Sequence, residues 1–289
     1  MKEFTTSQLI ERSIFKKYRK ELWSPFLTAI NEYQLIKEGD KICICISGGK
    51  DSMCLAKMLQ ILQRHSNIKF DLVYLIMDPG YNENIKRQVI ANAELLEIPY
   101  VLYETNIFKA AITCNKDKPC YICARMRRGH LYNKAKELGC NKIALGHHLN
   151  DVIETTLMSM FYSSKLETIV PKALSENFEG MELIRPLYKV YEKDIIAWAR
   201  YNNLEFIQCA CSFTERKDID SKRQEIKELI KELRKNNPEI ENNIFKSLHA
   251  VHIKCFPGIS LYDGHHSFLE YYNDADNNIA NPYHKKKQN

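Results

Sequence analysis

Short apolar segments alternate with longer amphipathic segments along the first two-thirds of the chain. The short segments contain many β-branched residues and predict buried strands at residues 41–46, 70–77, 100–104 and 142–145. Segments with helical periodicity follow them at residues 53–62, 84–97, 125–138 and 151–161. Strands that alternate with helices of ten or more residues favour parallel βαβ units. The pattern therefore predicts an α/β fold with a doubly wound parallel sheet.

Helical patterns also flank this α/β region. Residues 7–36 predict N-terminal helices that Pro25 divides or kinks, and residues 192–203 predict a helix between short strands at 183–185 and 205–207. Residues 221–235 predict a strongly charged amphipathic helix, and the composition becomes polar after Pro257. We expect four parts: an N-terminal helical segment at 1–38, the α/β domain at 39–215, a helical C-terminal part at 216–264, and a polar, mobile tail at 265–289.

Composition narrows the class of protein. With 45% apolar and 27% charged residues, the 289-residue chain can form a hydrophobic core, and its composition is not that of an intrinsically disordered protein. No apolar run reaches the roughly 18 residues of a membrane span, and the N-terminus lacks the apolar stretch of a signal peptide. We therefore expect a cytoplasmic protein with no membrane contact. The net charge of +6 permits an RNA partner without requiring one.

A glycine-containing string lies between the first predicted strand and its helix. It consists of Ser47, Gly48, Gly49, Lys50, Asp51 and Ser52. Glycines let the backbone approach an anion, and a helix N-terminus offers unpaired N–H groups and a partial positive charge. Asp51 suits such a cradle if a divalent cation lies between it and phosphates. The string is neither a Walker A loop nor a Gly-x-Gly-x-x-Gly motif. The structural alternative is a strand-to-helix turn capped by serine.

A second string, Gly146-His-His-Leu-Asn-Asp151, follows the fourth predicted strand. In a parallel sheet it would lie at the same edge as Ser47–Ser52. Asp151 would then face a nucleotide or a substrate base, or it would simply cap the helix that it begins. The predicted helix at 125–138 is basic and carries Arg125, Arg127 and Arg128. These residues, extended by basic residues at 16–20, would contact an RNA backbone or form an ordinary solvated face.

Ten cysteines in a chain without an export signal favour metal or redox chemistry over disulfides. Cys120 and Cys123 form a Cys-x-x-Cys just before the basic helix, and Cys209 and Cys211 follow the strand predicted at 205–207. Three interpretations are open. The four thiolates could bind structural zinc, three of them could hold an iron–sulfur cluster with one iron open, or the first pair could be a redox dithiol.

In order and spacing, these motifs resemble those of known enzymes. The string at 47–52 resembles the pyrophosphate loop of the PP-loop ATPases. Combined with the Cys-x-x-Cys followed by Ala-Arg-Met-Arg-Arg-Gly, the second string, and Ile-Arg-Pro-Leu at 184–187, it is similar to the tRNA 2-thiocytidine synthetase family of sulfurtransferases, from about residue 20 to about residue 235. The resemblance implies an enzyme that uses ATP to adenylate C2 of a cytidine in the tRNA anticodon loop, and then replaces O2 by sulfur.

The resemblance also implies cofactors, partners and roles for residues. The cofactors are ATP, Mg²⁺ and a [4Fe-4S] cluster whose three ligands are Cys120, Cys123 and Cys209. The partners are tRNA and a persulfide sulfur donor such as a cysteine desulfurase, and a homodimer is the family expectation. The resemblance implies that Asp51, Arg127 and Asp151 are catalytic. It also implies that the nucleotide is bound by Ser47, Gly48, Gly49, Lys50, Asp51, Ser52 and Gly146.

The sequence departs from the family at two places. Where the family often has Cys-x-x-Cys at the third ligand, this chain has Cys209-Ala-Cys211, and the segment beyond about residue 240 matches no recognised pattern. Three alternatives therefore stand beside cytidine thiolation. They are a thiolase that forms 2-thiouridine in tRNA, a zinc-containing PP-loop ligase such as a lysidine-type synthetase, and a non-enzymatic redox sensor.

Overall fold

The computed structural model describes residues 4–114, 119–207, 217–261 and 264–272. Its main sheet contains six strands: β1 (Lys41–Ile46), β2 (Asp71–Asp78), β3 (Val101–Glu104), β4 (Lys142–Ala144), β5 (Lys172–Leu174) and β6 (Glu182–Ile184). Their order is β3-β2-β1-β4-β6-β5, and all neighbours are parallel except β5 and β6. The chain winds outward from β1 in one direction and from β4 in the other. The carboxyl ends of β1 and β4 therefore flank the topological switch point, where α/β sheets bind ligands.

Helices connect and cover these strands. Their bounds are α1 (Thr6–Phe15), a π-helical turn (Arg19–Trp23), α2 (Ser24–Glu32), α3 (Lys50–His65), α4 (Glu83–Leu95), α5 (Ile107–Cys114), α6 (Pro119–Glu137), α7 (Leu149–Ser163), α8 (Glu192–Tyr201), α9 (Lys217–Asn236) and α10 (Ile240–Ser247). A 3₁₀ turn (Ile253–Cys255), a hairpin of β7 (Gly258–Leu261) and β8 (Gly264–Ser267), and α11 (Leu269–Tyr272) follow. In the part of the chain described, no helix is both long enough and apolar enough to cross a membrane.

Alternate side chains of β1 enter two different cores. Ile42, Ile44 and Ile46 are buried in a cluster that takes in side chains of α1, α3, α4 and α8. Cys43 is buried in a second cluster, on the opposite face, with Tyr132 and other side chains of α6. This two-sided burial explains the nearly unbroken apolar run of the strand. The predicted α/β fold with a doubly wound parallel sheet is confirmed, and the structure adds one antiparallel strand, β5, at the edge.

Several predicted elements differ from the structure. The strand predicted at residues 205–207 is irregular chain, and the antiparallel edge strand β5 was not predicted. Helix α6 begins at Pro119, so the Cys-x-x-Cys lies within its first turns rather than before it. The N-terminal helical stretch is interrupted at residues 16–18 and not at Pro25, which occupies the first turn of α2. The tail boundary predicted at 265 falls inside the β7–β8 hairpin, and residues 273–289 lie outside the described residues.

Candidate active site

The loop between β1 and α3 is closed by its own two serines. The Ser52 hydroxyl accepts hydrogen bonds from the backbone N–H and the hydroxyl of Ser47, each at 3.2 Å, and donates to the carbonyl of Gly49 at 2.9 Å. The family resemblance placed Ser47 and Ser52 among the nucleotide-binding residues; in the structure their hydroxyls contact each other and stabilise the turn. The first N–H groups of α3 have no acceptor within the helix, so they are placed to bind an anion.

Gly48 is required at the centre of this turn. Its φ of +84° lies in the left-handed region. A Cβ there would approach Cγ2 of Val89 to 2.5 Å and Cδ1 of Ile207 to 2.7 Å. Gly49 has an extended φ of −79°, and the nearest atom to a Cβ there would be 3.7 Å away. Hence the first glycine fixes the loop conformation, and the second does not need to be glycine for that purpose.

The second string meets this loop at the switch point, as predicted. A Cβ on Gly146 would lie 3.1 Å from the backbone nitrogen of Ser52, so a side chain there would block the N-terminus of α3. His148, rather than Asp151, is the N-cap of α7. Its ring accepts from the Asp151 N–H at 3.3 Å, and the Asp151 carboxylate accepts from the His148 N–H at 3.0 Å. Asp151 thus takes part in a capping box and still faces the loop.

A cleft of about 340 Å³ opens between these two loops and helix α6. Ile46, Leu75, Met77 and Leu145 contribute its apolar lining. Its polar lining brings together the three residues predicted to be catalytic, Asp51, Arg127 and Asp151, with Ser47, Ser52, Gly146, His147 and Arg128. Residues separated by up to about a hundred positions in the sequence therefore line one cleft.

Lys50 points away from this cleft. Its ammonium lies 3.1 Å from Oδ2 of Asp51 and 2.9 Å from Oε1 of Glu192, in a second cavity. Burial alone would lower the pKa of Lys50, but the two carboxylates together raise it, so the side chain stays charged. The family resemblance placed Lys50 among the nucleotide-binding residues; in the structure it is the counter-ion of Asp51 and Glu192.

Asp51 has the features of a cation ligand. Its Oδ1 atom is buried and has no hydrogen-bond partner among the described residues. Nε2 of His148 lies 3.8 Å from this atom, beyond hydrogen-bond distance. Burial raises the pKa of the Asp51 carboxyl, although His148 and Lys50 oppose the shift. An orphaned carboxylate oxygen beside a second carboxylate, that of Asp151, fits a hard divalent cation such as Mg²⁺.

Helix α9 supplies site residues that the sequence did not reveal. Nη1 of Arg223 lies 3.2 Å from Oδ1 of Asp151 and 3.7 Å from Glu154, and Nζ of Lys227 lies 3.7 Å from Glu154 and 3.6 Å from Glu192. Burial raises the pKa of Glu154 to about 7, against the opposing effect of the two cations. The only sequence signal was the i, i+4 spacing of two basic residues on a charged helix, which is also typical of solvated faces.

The cysteines are described in part. Cys120 and Cys123 lie three residues apart in the first turns of α6. Cys123 is buried in a cluster with Met77 and Phe108, and Met77 also lines the cleft. Cys123 therefore lies beside the cleft, on the helix that also carries Arg127 and Arg128. Cys209 and Cys211 lie outside the described residues, and within those described no three metal-ligating side chains form a group.

The basic residues that were predicted to form one surface lie on two opposite faces of the sheet. Arg127 and Arg128 of α6 line the cleft. The basic residues at 16–20 are exposed near the end of α1, and α1 packs with α3 on the opposite face. They do not extend the α6 surface as the sequence analysis expected.

Comparison with known proteins gives consistent matches. The family described as the PP-loop domain matches residues 19–233. The tRNA-cytidine(32) 2-sulfurtransferase of Geobacter metallireducens is 39% identical over 240 residues, covering 82% of this chain and 91% of the relative. The enzyme of the same name from Coxiella burnetii is 36% identical over 242 residues, again covering 82% and 91%.

One solved structure has a similar fold. It is the U34-tRNA thiolase NcsA from Methanococcus maripaludis with its [4Fe-4S] cluster. The TM-score is 0.62 at 20% sequence identity, and the match covers 78% of this chain and 77% of the thiolase. At this identity the likeness establishes a shared fold.

Proposed function

The chain belongs to the tRNA-cytidine(32) 2-sulfurtransferase family of PP-loop proteins, and from this premise we propose that it thiolates a cytidine of the tRNA anticodon loop at C2, with ATP as the activating substrate. The observation that supports this most is the convergence of Asp51, Arg127 and Asp151 on one cleft at the switch point. Arg127 would come from the helix that carries Cys120 and Cys123, so activation and sulfur delivery would share that cleft.

The loop at 47–52 would bind the phosphates of ATP. The free N–H groups of α3 and its positive N-terminal dipole would stabilise the charge that builds on departing pyrophosphate. The conformation of Gly48 keeps the backbone close to that position, and Gly146 leaves the approach open. The apolar lining at Leu75 and Met77 would receive the nucleoside part of ATP.

Asp51 and Asp151 would hold Mg²⁺, which when bound would neutralise charge on the phosphate oxygens. The guanidinium of Arg127 would form charge-assisted hydrogen bonds with the α-phosphate region. The O2 atom of the cytidine would then attack the α-phosphorus, forming an O–P bond as the bond to pyrophosphate breaks. In this arrangement the protein side chains orient the two reactants, and the attack needs no covalent protein intermediate.

Replacement of oxygen would follow at the same carbon. Hydrosulfide would add to C2 and form a C–S bond. The C2–O2 bond would then break, AMP would leave with the former O2 atom, and loss of the S–H proton would leave C=S in place of C=O. Cys120, Cys123 and Cys209 would hold a [4Fe-4S] cluster, which when bound supplies an iron position open to sulfide. We propose a persulfide from a cysteine desulfurase as the source of sulfur, with a thiol reductant that releases its outer sulfur as hydrosulfide and is itself oxidised to a disulfide. We propose the reducing cytoplasm as the setting. The homodimer remains a prediction.

The test is a defined reaction with the full chain, reconstituted without oxygen, and with tRNA, Mg-ATP and sulfide. We expect tRNA-dependent release of pyrophosphate and formation of 2-thiocytidine, detected by mass spectrometry of nucleosides. Asp51→Asn should reduce pyrophosphate release by at least about a hundredfold, since a metal contact contributes several kcal/mol to such a transition state. Wild-type protein that releases pyrophosphate equally well without tRNA would contradict the proposal.

Cysteine variants test the sulfur site separately. Cys120→Ala, Cys123→Ala and Cys209→Ala should keep tRNA-dependent pyrophosphate release but form no 2-thiocytidine. Cys114→Ala is the matched control because Cys114 is an exposed thiol on the neighbouring helix α5, and it should behave as wild type. Cys211→Ala should also behave as wild type. A colourless protein that holds zinc and thiolates nothing would instead favour the ligase alternative.

A further inference from the structure

Helix α9 packs against the site helix α7 through a mixed face. Ile226 and Ile230 are buried in a cluster with Leu149, Val152 and Ile153 of α7. Arg223 and Lys227 lie three residues before each isoleucine, so they share this inward face. The apolar contacts fix the helix, and the two cations are thereby held towards the loops that form the cleft.

The two cations join a continuous array of charges that reaches the phosphate loop. Arg223 contacts Asp151 at 3.2 Å, and Lys227 contacts Glu192 at 3.6 Å. Both also contact the carboxylate of Glu154, whose side chain is only 4% exposed, at 3.7 Å. The other oxygen of Glu192 lies 2.9 Å from Lys50, which in turn contacts Asp51. The array therefore connects α9 with both carboxylates that face the cleft.

The array contains more acidic than basic side chains, so its net charge depends on the two cations of α9. It contains the carboxylates of Asp51, Asp151, Glu154 and Glu192, and the cations of Lys50, Arg223 and Lys227. Two of these three cations come from α9. Without them, Lys50 would be the one cation of the array beside four acidic side chains. The adjoining cleft, which has Arg127 and Arg128 in its own lining, must admit the strongly anionic triphosphate of ATP. Like charges at this range in a partly buried site repel strongly.

We propose that Arg223 and Lys227 are positioning residues of the nucleotide site. Arg223 orients Asp151, Lys227 holds Glu192 and through it Lys50, and together they lower the negative charge of the site enough for a triphosphate to bind. This inference rests on the proposed function, because it assumes that the cleft receives ATP. The triphosphate is the part of the ligand that depends on α9, whereas the uncharged nucleoside does not.

Exposed ion pairs often contribute little, so a matched control is needed. Lys235 lies on the same helix and pairs with Glu232, and both side chains are about two-thirds exposed, at 64% and 66%. Lys227→Gln and Lys235→Gln therefore make the same chemical change on one helix, at the site and away from it. Arg223→Gln and Arg223→Lys separate loss of charge from loss of the guanidinium shape.

Calorimetric titration of the full chain with Mg-ATP and with adenosine tests the proposal without requiring tRNA or thiolation. We expect Arg223→Gln and Lys227→Gln to weaken Mg-ATP binding by about tenfold or more, equivalent to about 1.4 kcal/mol. Lys235→Gln should stay within about twofold of wild type, Arg223→Lys should recover most of the affinity, and adenosine should bind all variants alike. Equal loss for adenosine and Mg-ATP, or no loss for either, would overturn the inference. A wild-type chain that binds no Mg-ATP would overturn the proposed function as well.

Discussion

The substitution Gly48→Ala tests the account of the phosphate loop. A residue with a Cβ at φ +84° costs about 1–3 kcal/mol in backbone strain. The new methyl group would also stand 2.5 Å from Val89 and 2.7 Å from Ile207, and such overpacking costs about 1–3 kcal/mol. We therefore expect the free energy of unfolding to fall by about 2–6 kcal/mol, since both penalties act at once.

Urea unfolding followed by circular dichroism measures this change, and Gly49→Ala is the control. At φ −79°, with its nearest contact 3.7 Å away, an alanine at 49 fits the backbone and should be neutral or slightly stabilising. Adding Val89→Ala to Gly48→Ala should recover part of the loss, because it removes the closest contact. Equal destabilisation by the two glycine substitutions would refute the assignment of the strained position to Gly48.

Two further predictions concern buried ionisable side chains, Glu154 beside the site and Lys57 in α3. Burial raises the pKa of Glu154 to about 7 from 4.5, while the two cations of α9 lower it and the carboxylates of Asp151 and Glu192 raise it. The folded state therefore keeps a proton that the unfolded state loses between these pH values, so stability falls as pH rises through them. Glu154→Gln cannot ionise and should exceed wild type by up to about 3 kcal/mol at pH 8 and by nothing at pH 4, as measured by urea unfolding. Lys57, buried in α3, donates to the carbonyl of Leu96 at 2.9 Å, so Lys57→Met should destabilise the fold by about 1–3 kcal/mol in the same assay; an unchanged midpoint would contradict that role.

Sequence patterns were sufficient for the part of the fold that carries the phosphate loop. Strands β1 and β2 are buried on both faces and so appear as apolar runs, and the loops after β1 and β4 follow from the rule that ligands bind at strand carboxyl ends. Strand β5 is only three residues long and has no such apolar run, so the sequence pattern did not predict it. Residues 205–207 have the composition of a strand, but in the structure the sheet edge beside β6 is taken by β5.

The candidate site was predictable only where its residues lie in local motifs. Asp51, Arg127 and Asp151 each belong to a recognisable string, and they line one cleft. The contact between Arg223 and Asp151 joins positions 72 residues apart, and nothing in the local sequence of α9 distinguishes it from a solvated charge. Long-range ion pairs of this kind depend on how helices pack, which periodicity alone does not specify.

Mass spectrometry of tRNA nucleosides from cells that lack this chain tests the central claim most directly, since it reports the modified base itself. The account predicts that 2-thiocytidine disappears while other thiolated nucleosides remain, and that the wild-type gene restores it but a gene encoding Asp51→Asn does not. Unchanged 2-thiocytidine in these cells, or loss of a 2-thiouridine in its place, would contradict the account.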